Sequence, residues 1–432
     1  MTSTDPNRQF AADVVRRLKH AGFQALWAGG CVRDFLLGRQ PKDYDVATDA
    51  RPDEVRKLFG HRRTLAVGAS FGVIIVRGAK PAGDVEVATF RTEGPYRDGR
   101  RPEQVTFSTA EEDARRRDFT INGMFYDPVE QRLFDFVDGE QDLNDGIVRA
   151  IGDPRARMGE DKLRMLRAVR FTAAMEFELD SPTAEAIHSM AGEIRIVSAE
   201  RICQELKQML VDPHRMRAVQ LAREIGLLVV ILPELQSILG ETTGDSHANR
   251  FERTLRMLHN LQNPGFELAF TALLHAIPAA NDGALCDAEE RVGEICRRLR
   301  LSNREIDHIT WLFSHQDALS DAPHASLFRL KRLLAHPLID DLLALFRVKV
   351  LATDADLNVV AFCDDFLKNT PRDKLDPPEL INGDDLIAKG LTPGANFKTI
   401  LRAVRDAQLD ETISTKAEAL ELAERVSQNR ET

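Results

Sequence analysis

Cysteine is scarce in this 432-residue chain: five are present, at positions 31, 203, 286, 296 and 363, far apart from one another. No CxxC pair and no Cys/His ligand spacing occurs, which excludes a disulfide framework and a zinc site as organising features. Long apolar runs are missing too. The strongest, Ile225 to Leu232, falls far short of the ~20 residues a membrane-spanning helix needs. The first residues, Met-Thr-Ser-Thr-Asp-Pro-Asn-Arg, have no apolar core behind their charge and do not read as a secretory signal. A cytoplasmic protein without a membrane partner is therefore expected. No fixed-period repeat is present, which removes solenoid architectures. Nor is there a basic excess: 58 Lys and Arg stand against 68 Asp and Glu, a net charge of −10 that speaks, on average, against a polyanionic partner. The average conceals one exception. Between 149 and 170, Arg149, Arg155, Arg157, Lys162, Arg164, Arg167 and Arg170 outnumber Asp153, Glu160 and Asp161, a local field suited to phosphates.

An apolar fraction of 43 % and a charged fraction of 29 % are ordinary for a globular chain, and the length accommodates roughly two to four domains. Up to about residue 145 the pattern is mixed α/β. A helix is expected over Ala11 to Ala21, a strand at Leu26-Trp27-Ala28, a helix from Val32 to Leu37, and strands around Asp43 to Asp45, Phe71 to Val76 and Asp84 to Phe90. The stretch Arg91 to Arg101, rich in Gly, Pro and Arg, reads as a mobile loop. From Asp161 onward helical spacing dominates, over Asp161 to Met175, Pro182 to Ala191, Ala199 to Leu210, Met216 to Gly226 and Arg250 to Leu261. The fold class is accordingly α+β multidomain: a mixed-sheet head followed by an elongated all-α remainder. Pro377-Pro378 and Pro393-Gly394 mark turns in the last hundred residues.

Chemistry concentrates in Ala28-Gly29-Gly30-Cys31-Val32-Arg33-Asp34 and, soon after, Lys42-Asp43-Tyr44-Asp45-Val46. A Gly pair lets the backbone approach a charged group, and Arg33 adds a planar cationic fork. Asp43 and Asp45 are two apart in a β-favouring run, so on a strand both carboxylates leave one face. Alone, such a pair is more often a surface Asp-x-Asp on an edge strand. With the glycine turn just upstream it reads as a phosphate cradle beside a divalent-metal site. Glu86, on a later strand, either completes the carboxylate set for two Mg²⁺ ions or is a partly exposed strand glutamate.

These elements open an ordered series that continues with Gly68-Ala69-Ser70-Phe71-Gly72-Val73 and Arg115-Arg116-Arg117-Asp118-Phe119-Thr120-Ile121-Asn122-Gly123. Asp138-Gly139 with Asp142-Leu143, the run Glu160 to Phe171, and Ser198-Ala199-Glu200-Arg201 with Glu205-Leu206 complete it. In this order, over about residues 22 to 210, the series resembles the bacterial class II tRNA nucleotidyltransferase (CCA-adding enzyme)/poly(A) polymerase family of the polymerase-β-like superfamily. The resemblance implies template-independent addition of C, C and A to the tRNA 3′ end from CTP and ATP, with Mg²⁺ on Asp43 and Asp45 and with Glu86 as a third catalytic carboxylate. It implies nucleotide contacts from Gly29, Gly30, Arg33, Asp34, Arg117, Asp118 and Asn122, and base and nucleotide contacts from Asp161, Arg164, Arg167 and Arg170. It further implies a head over 1–146, a neck over 147–210, a body over 211–325 and a tRNA-binding tail over 326–432.

On a helix, Asp161 and Arg164 share a face, and such i,i+3 spacing most often means a salt bridge. An acceptor beside a donor also complements the edge that cytosine and adenine share, an exocyclic amine next to a bare ring nitrogen. Guanine and uracil present the reverse and leave mismatched polar groups. The Arg115 to Arg117 run, interleaved with Glu111, Glu112 and Asp113, equally suits a solvated helix start. Poly(A) polymerases of the family tend to carry an Arg-rich strand where this chain has Gly68 to Gly72, which favours CCA addition; a poly(A) polymerase, or an enzyme specialised for A addition, is the alternative. A catalytically dead RNA-binding head is disfavoured by the intact Asp-x-Asp. Phosphohydrolase domains of some relatives need a His and a His-Asp pair, where this chain has Arg253 and His275-Ala276. A scaffold without hydrolase activity is expected there, with His275 a core residue.

Overall fold

The computed structural model describes residues 5–68, 72–93, 105–236, 245–277, 285–391, 393–394 and 396–428. The chain divides into two compact units, Met1–Gln236 and Ser237–Thr432.

In the first unit α1 (Pro6–His20) begins five residues before its apolar stripe, because Asp5 caps the Asn7 N–H and Pro6 fits the first turn. Its buried face, Ala11, Val14, Val15 and Leu18, packs on a seven-stranded mixed sheet. β1 (Ala25–Ala28) leads into α2 (Gly30–Leu36), β2 (Asp45–Thr48), α3 (Pro52–Phe59), β3 (Thr64–Gly68), β4 (Val73–Arg77) and β5 (Asp84–Thr89). The short strands β6 (Arg91–Glu93) and β7 (Val105–Phe107) pair as a separate antiparallel ribbon. After α4 (Ala110–Arg115), β8 (Phe125–Asp127) and β9 (Arg132–Phe134) complete the large sheet in the order β3-β4-β5-β2-β1-β8-β9. The β2–β5 pairing is parallel and its neighbours are antiparallel. In β5 Val85 and Val87 are buried while Asp84 and Glu86 are exposed, so one face is core and the other is open for chemistry.

Three expectations need correction. The Arg91 to Arg101 stretch is a paired strand at its start, and its residues 94–101 lie outside the described set. Residues 69–71 of the glycine motif also lie outside it, and the strand foreseen from Phe71 begins at Val73. The arginine run 115–117 closes α4 rather than opening a helix; Thr109 caps the start and Glu111, Glu112 and Asp113 fill the first turn, which suits the helix dipole.

Beyond the sheet, α5 (Gly139–Asp145) and β10 (Ile147–Val148) lead into α6 (Pro154–Glu160) and α7 (Arg164–Met175). β11 (Glu178–Leu179) pairs with β10, and α8 (Ser181–Met190) and α9 (Ala199–Val211) follow, with two further helices to Ile231. The second unit is helical throughout its described residues. One helix there, Phe266–Leu274, is buried at every residue except Glu267. A second apolar cluster joins Ile381, Leu386, Ile400, Val404, Ala419 and Ala423.

Candidate active site

Parallel pairing of β2 with β5 aligns Asp45 with Glu86, and aligned residues on neighbouring strands share a face. Asp43 does not lie on the strand, as its spacing had suggested; β2 starts at Asp45, and Asp43 sits in the bend before it. The alternation nevertheless reaches back: Tyr44 is buried, while Asp43 and Asp45 are solvent-open. Asp45 is accessible to water yet crowded by protein on its other sides. That crowding, then the charges of Glu86 and Asp43, pushes its pKa up to about 6, with Arg117 pulling the opposite way. A carboxylate whose charge is disfavoured by Glu86 and Asp43 beside it suits a divalent cation. Among the described residues no group of three or more such side chains forms a ready-made metal cage. A hard divalent cation suits this partly built site, since such an ion can be held by one or two carboxylates and complete its shell with water and substrate phosphates.

Next to the carboxylates, Gly29 caps the start of α2 with φ of 72°, and a Cβ there would lie 2.7 Å from Arg117 Nη1. Only glycine permits both that conformation and that approach. Gly30 follows without such crowding. Arg33 donates through Nε and Nη2 to Asp34 Oδ1, at 2.8 and 2.7 Å, and through Nη1 to Asn122 Oδ1 at 2.8 Å. Arg117 donates to Asp113 Oδ2 through Nε and Nη2 (3.2 and 3.1 Å) and to the Asn122 carbonyl at 3.3 Å. Asp113 is buried; burial opposes its charge, but Arg117 and Arg116 outweigh that and hold it below the usual carboxylate range. Gly29, Gly30, Arg33, Asp34, Arg117 and Asn122 thus gather at one place.

Asp118 is spent internally. Oδ1 accepts from Phe119 N (2.8 Å) and Asn122 Nδ2 (3.1 Å), and Oδ2 accepts from Arg167 Nε and Nη2 at 2.9 and 2.7 Å. Burial works against its charge, yet the Arg167 guanidinium brings its pKa down to about 2. Arg167 also approaches Glu205 at 3.7 Å, and Arg170 Nε donates to Glu205 at 2.7 Å.

The helix face expected for Asp161 and Arg164 does not exist. Asp161 is extended (φ −141°, ψ 107°) between α6 and α7 and accepts from Leu163 N at 3.0 Å, a local turn bond that competes with helix continuation. Its partner is Arg201 on α9, which donates through Nη1 and Nη2 at 3.2 and 2.7 Å to the two carboxylate oxygens. Arg164, buried at the start of α7, donates to the carbonyls of Arg157 and Arg116 (both 3.0 Å) and to Glu160. Asp113, Arg201 and Glu205 went unassigned from sequence. A buried glutamate among Ile202, Cys203, Leu206 and Met209 on one amphipathic helix was the available signal for Glu205.

Residues 25–149 match the poly(A) polymerase head domain model, and residues 176–239 match the model described as a probable RNA and SrmB-binding site of polymerase A. A CCA-adding enzyme from Lactobacillus helveticus is 32 % identical over 416 residues, 95 % of either chain. The chain belongs to the CCA-adding enzyme/poly(A) polymerase family. A poly(A) polymerase I of that family from Haemophilus influenzae is 36 % identical over 252 residues, 56 % of this chain and 54 % of that one. The Bacillus stearothermophilus CCA-adding enzyme, solved in complex with CTP, superposes with a TM-score of 0.76 at 28 % identity, covering 100 % of this chain and 99 % of that one. The Thermotoga maritima CCA-adding enzyme, solved with tRNA, shares the fold at a TM-score of 0.63 and 20 % identity, over 98 % and 95 % of the chains.

In this member of the family His275 bonds the Ala272 carbonyl at 2.9 Å, and burial drops its pKa to about 4. It is neutral at pH 7, a helix-end histidine with Ala276 where a metal-binding pair would need Asp.

Proposed function

We propose that this chain extends the 3′ end of tRNA with C, C and A, drawing on CTP and ATP without a nucleic-acid template, by metal-assisted nucleotidyl transfer at Asp43 and Asp45. The observation that carries the chemistry is the Asp45–Glu86 register with Asp43 alongside, three mutually repelling carboxylates on the open face of the head. When bound there, Mg²⁺ supplies charge that acidifies the attacking 3′-hydroxyl and steadies the departing pyrophosphate. Glu86 acts through Asp45, keeping its carboxylate in need of a cation. Gly29 lets Arg117 stand against the backbone, and Arg33, Arg117 and Asn122, fixed by Asp34 and Asp113, face the ribose and triphosphate. Asp118 holds Arg167 in place, and Arg170 supports the nucleotide beside it.

Base choice falls to Asp161 and Arg164, each held by other partners rather than by one another. Arg201 and the Leu163 N–H together occupy Asp161 Oδ1, while Oδ2 accepts from Arg201 alone and keeps acceptor capacity for an exocyclic amine. Arg164 commits Nη1 and Nη2, which leaves its Nε–H to meet a bare ring nitrogen. The head (1–146) and neck (147–210) carry catalysis, while the body (211–325) and tail (326–432) hold the tRNA. A cytoplasmic setting accords with a tRNA substrate and with the buried free thiols Cys31 and Cys363.

The test is incorporation of CTP or ATP, given singly, into tRNAs lacking CCA, CA or A. Two C additions to the first substrate and one to the second from CTP, one A on the third from ATP, and a stop after three when both nucleotides are supplied are expected. A long ladder of A from ATP alone would instead establish the poly(A) polymerase reading, and a single A on the last substrate with no addition from CTP on any substrate would establish an A-adding specialist.

A further inference from the structure

Phe171 lies on α7, one turn after Arg167 and directly after Arg170, and it is 8 % exposed. Its ring meets the buried Phe119 ring edge-on, at 5.9 Å between centroids. Three guanidiniums gather around it: Arg170 at 4.3 Å, Arg167 at 5.1 Å and Arg33 at 5.2 Å from the ring centroid. All are within the ~6 Å at which a cation is attracted to the negative face of an aromatic ring. Arg33 comes from α2 in the sheet-bearing part, whereas Arg167 and Arg170 come from α7.

Three cations so close repel one another, and the charge of Arg167 weighs on Arg170 in addition to its burial. Each is paired with a carboxylate: Asp34 for Arg33, Asp118 for Arg167, Glu205 for Arg170. Glu205 joins Arg167 to Arg170, but among the described residues no carboxylate contacts either of them and Arg33 as well, so the carboxylates cannot set where Arg33 stands. The ring can, since every one of the three touches it. A leucine or methionine would fill the same volume and attract none of them.

We propose that Phe171 is a positioning residue for nucleotide binding, a shared aromatic backing that sets Arg33, Arg167 and Arg170 as one array for the nucleotide's phosphates. The proposal rests on the reading that these arginines face the nucleotide. It does not touch base choice, which belongs to Asp161 and Arg164. Loss of the backing therefore weakens CTP and ATP alike, and affects KM more than kcat.

The experiment uses the full chain with tRNA lacking CCA, and CTP or ATP as the varied substrate. Phe171→Met is expected to raise KM for both nucleotides about tenfold, with kcat within threefold and discrimination against UTP and GTP unchanged. Phe171→Tyr, which keeps the ring, is expected to stay within twofold of the parent. Replacing Phe171 by phenylalanines carrying one, two and three ring fluorines preserves shape while draining the ring's negative face, so KM should climb stepwise along the series even if Phe171→Met fails to fold. Arg167→Gln is measured in parallel. A raised KM in Arg167→Gln with a flat fluorine series overturns the role of Phe171 alone. An unchanged KM in Arg167→Gln overturns the nucleotide reading of the array, and the proposal with it.

Discussion

At the start of β2, Asp45 has Glu86 and Asp43 for company, and Arg117 offsets them. At α7 every guanidinium has a carboxylate of its own: Arg164 with Glu160, Arg167 with Asp118, Arg170 with Glu205. One region of the first unit is left electrostatically incomplete and the other is closed on itself. The difference separates two ways of binding. A cation entering the carboxylate edge relieves repulsion already present, whereas a nucleotide reaching the arginine array must share donors that are already engaged. Specific removal of charge should therefore have opposite consequences in the two places.

The largest effect belongs to chemistry. Asp43→Ala combined with Asp45→Ala should lower the incorporation rate at least about a thousandfold, roughly 4 kcal/mol in the barrier. Near-normal turnover in that protein would remove the carboxylate edge from the mechanism.

Next comes the closed region. Asp118→Ala strips a buried counter-charge from Arg167 and should cost about 3 kcal/mol of folding stability in denaturant titrations. Because the folded pKa of Asp118 is depressed to about 2, its contribution is present above pH ~4 and is lost as pH falls toward 2. The variant should lack that part of the acid slope, and parallel curves for both proteins would contradict the pairing.

A smaller change is expected in specificity. Asp161→Ala should reduce discrimination against UTP and GTP by roughly tenfold to a hundredfold, on the order of 1–3 kcal/mol, while metal-dependent catalysis with CTP persists. Unchanged selectivity would locate base choice elsewhere.

The smallest effect sharpens the contrast most. Asp45 has a raised folded pKa, about 6, so the protonated form is favoured by folding and stability falls as pH rises from about 4 to 6. Asp45→Asn, although it abolishes chemistry, should then raise the melting temperature of metal-free protein at pH 7 by a degree or so, on the order of 1–3 °C. A lowered melting temperature would mean that the carboxylate edge is not in tension.

Much of the head was legible because its periods are plain. Val85, Glu86 and Val87 alternate as a strand with one open face must, and Gly29 announces a backbone position that no side chain tolerates. The strand at Thr64–Gly68 and the pair at Phe125–Asp127 and Arg132–Phe134 were passed over, since five or three residues rarely show a period. At Asp161 the helical spacing misled: the carboxylate bonds its own turn and a partner forty residues away, and a pattern of apolar residues carries neither fact. Arg201, Glu205 and Asp113 were hidden for the same reason. A residue's type was readable, but the identity of what it grips across the fold was not.

Arg167 has one further consequence. Its guanidinium holds Asp118, in the segment after α4, and reaches Glu205 on α9, while its backbone belongs to α7. Mechanically it is a tie rod pinned at both ends. Any tilt of the Asp118 segment against α7 is passed to α9, where Arg201 grips Asp161 one turn away from Glu205. On the function proposed above, seating a triphosphate and setting Asp161 for base choice are then movements of a single linkage.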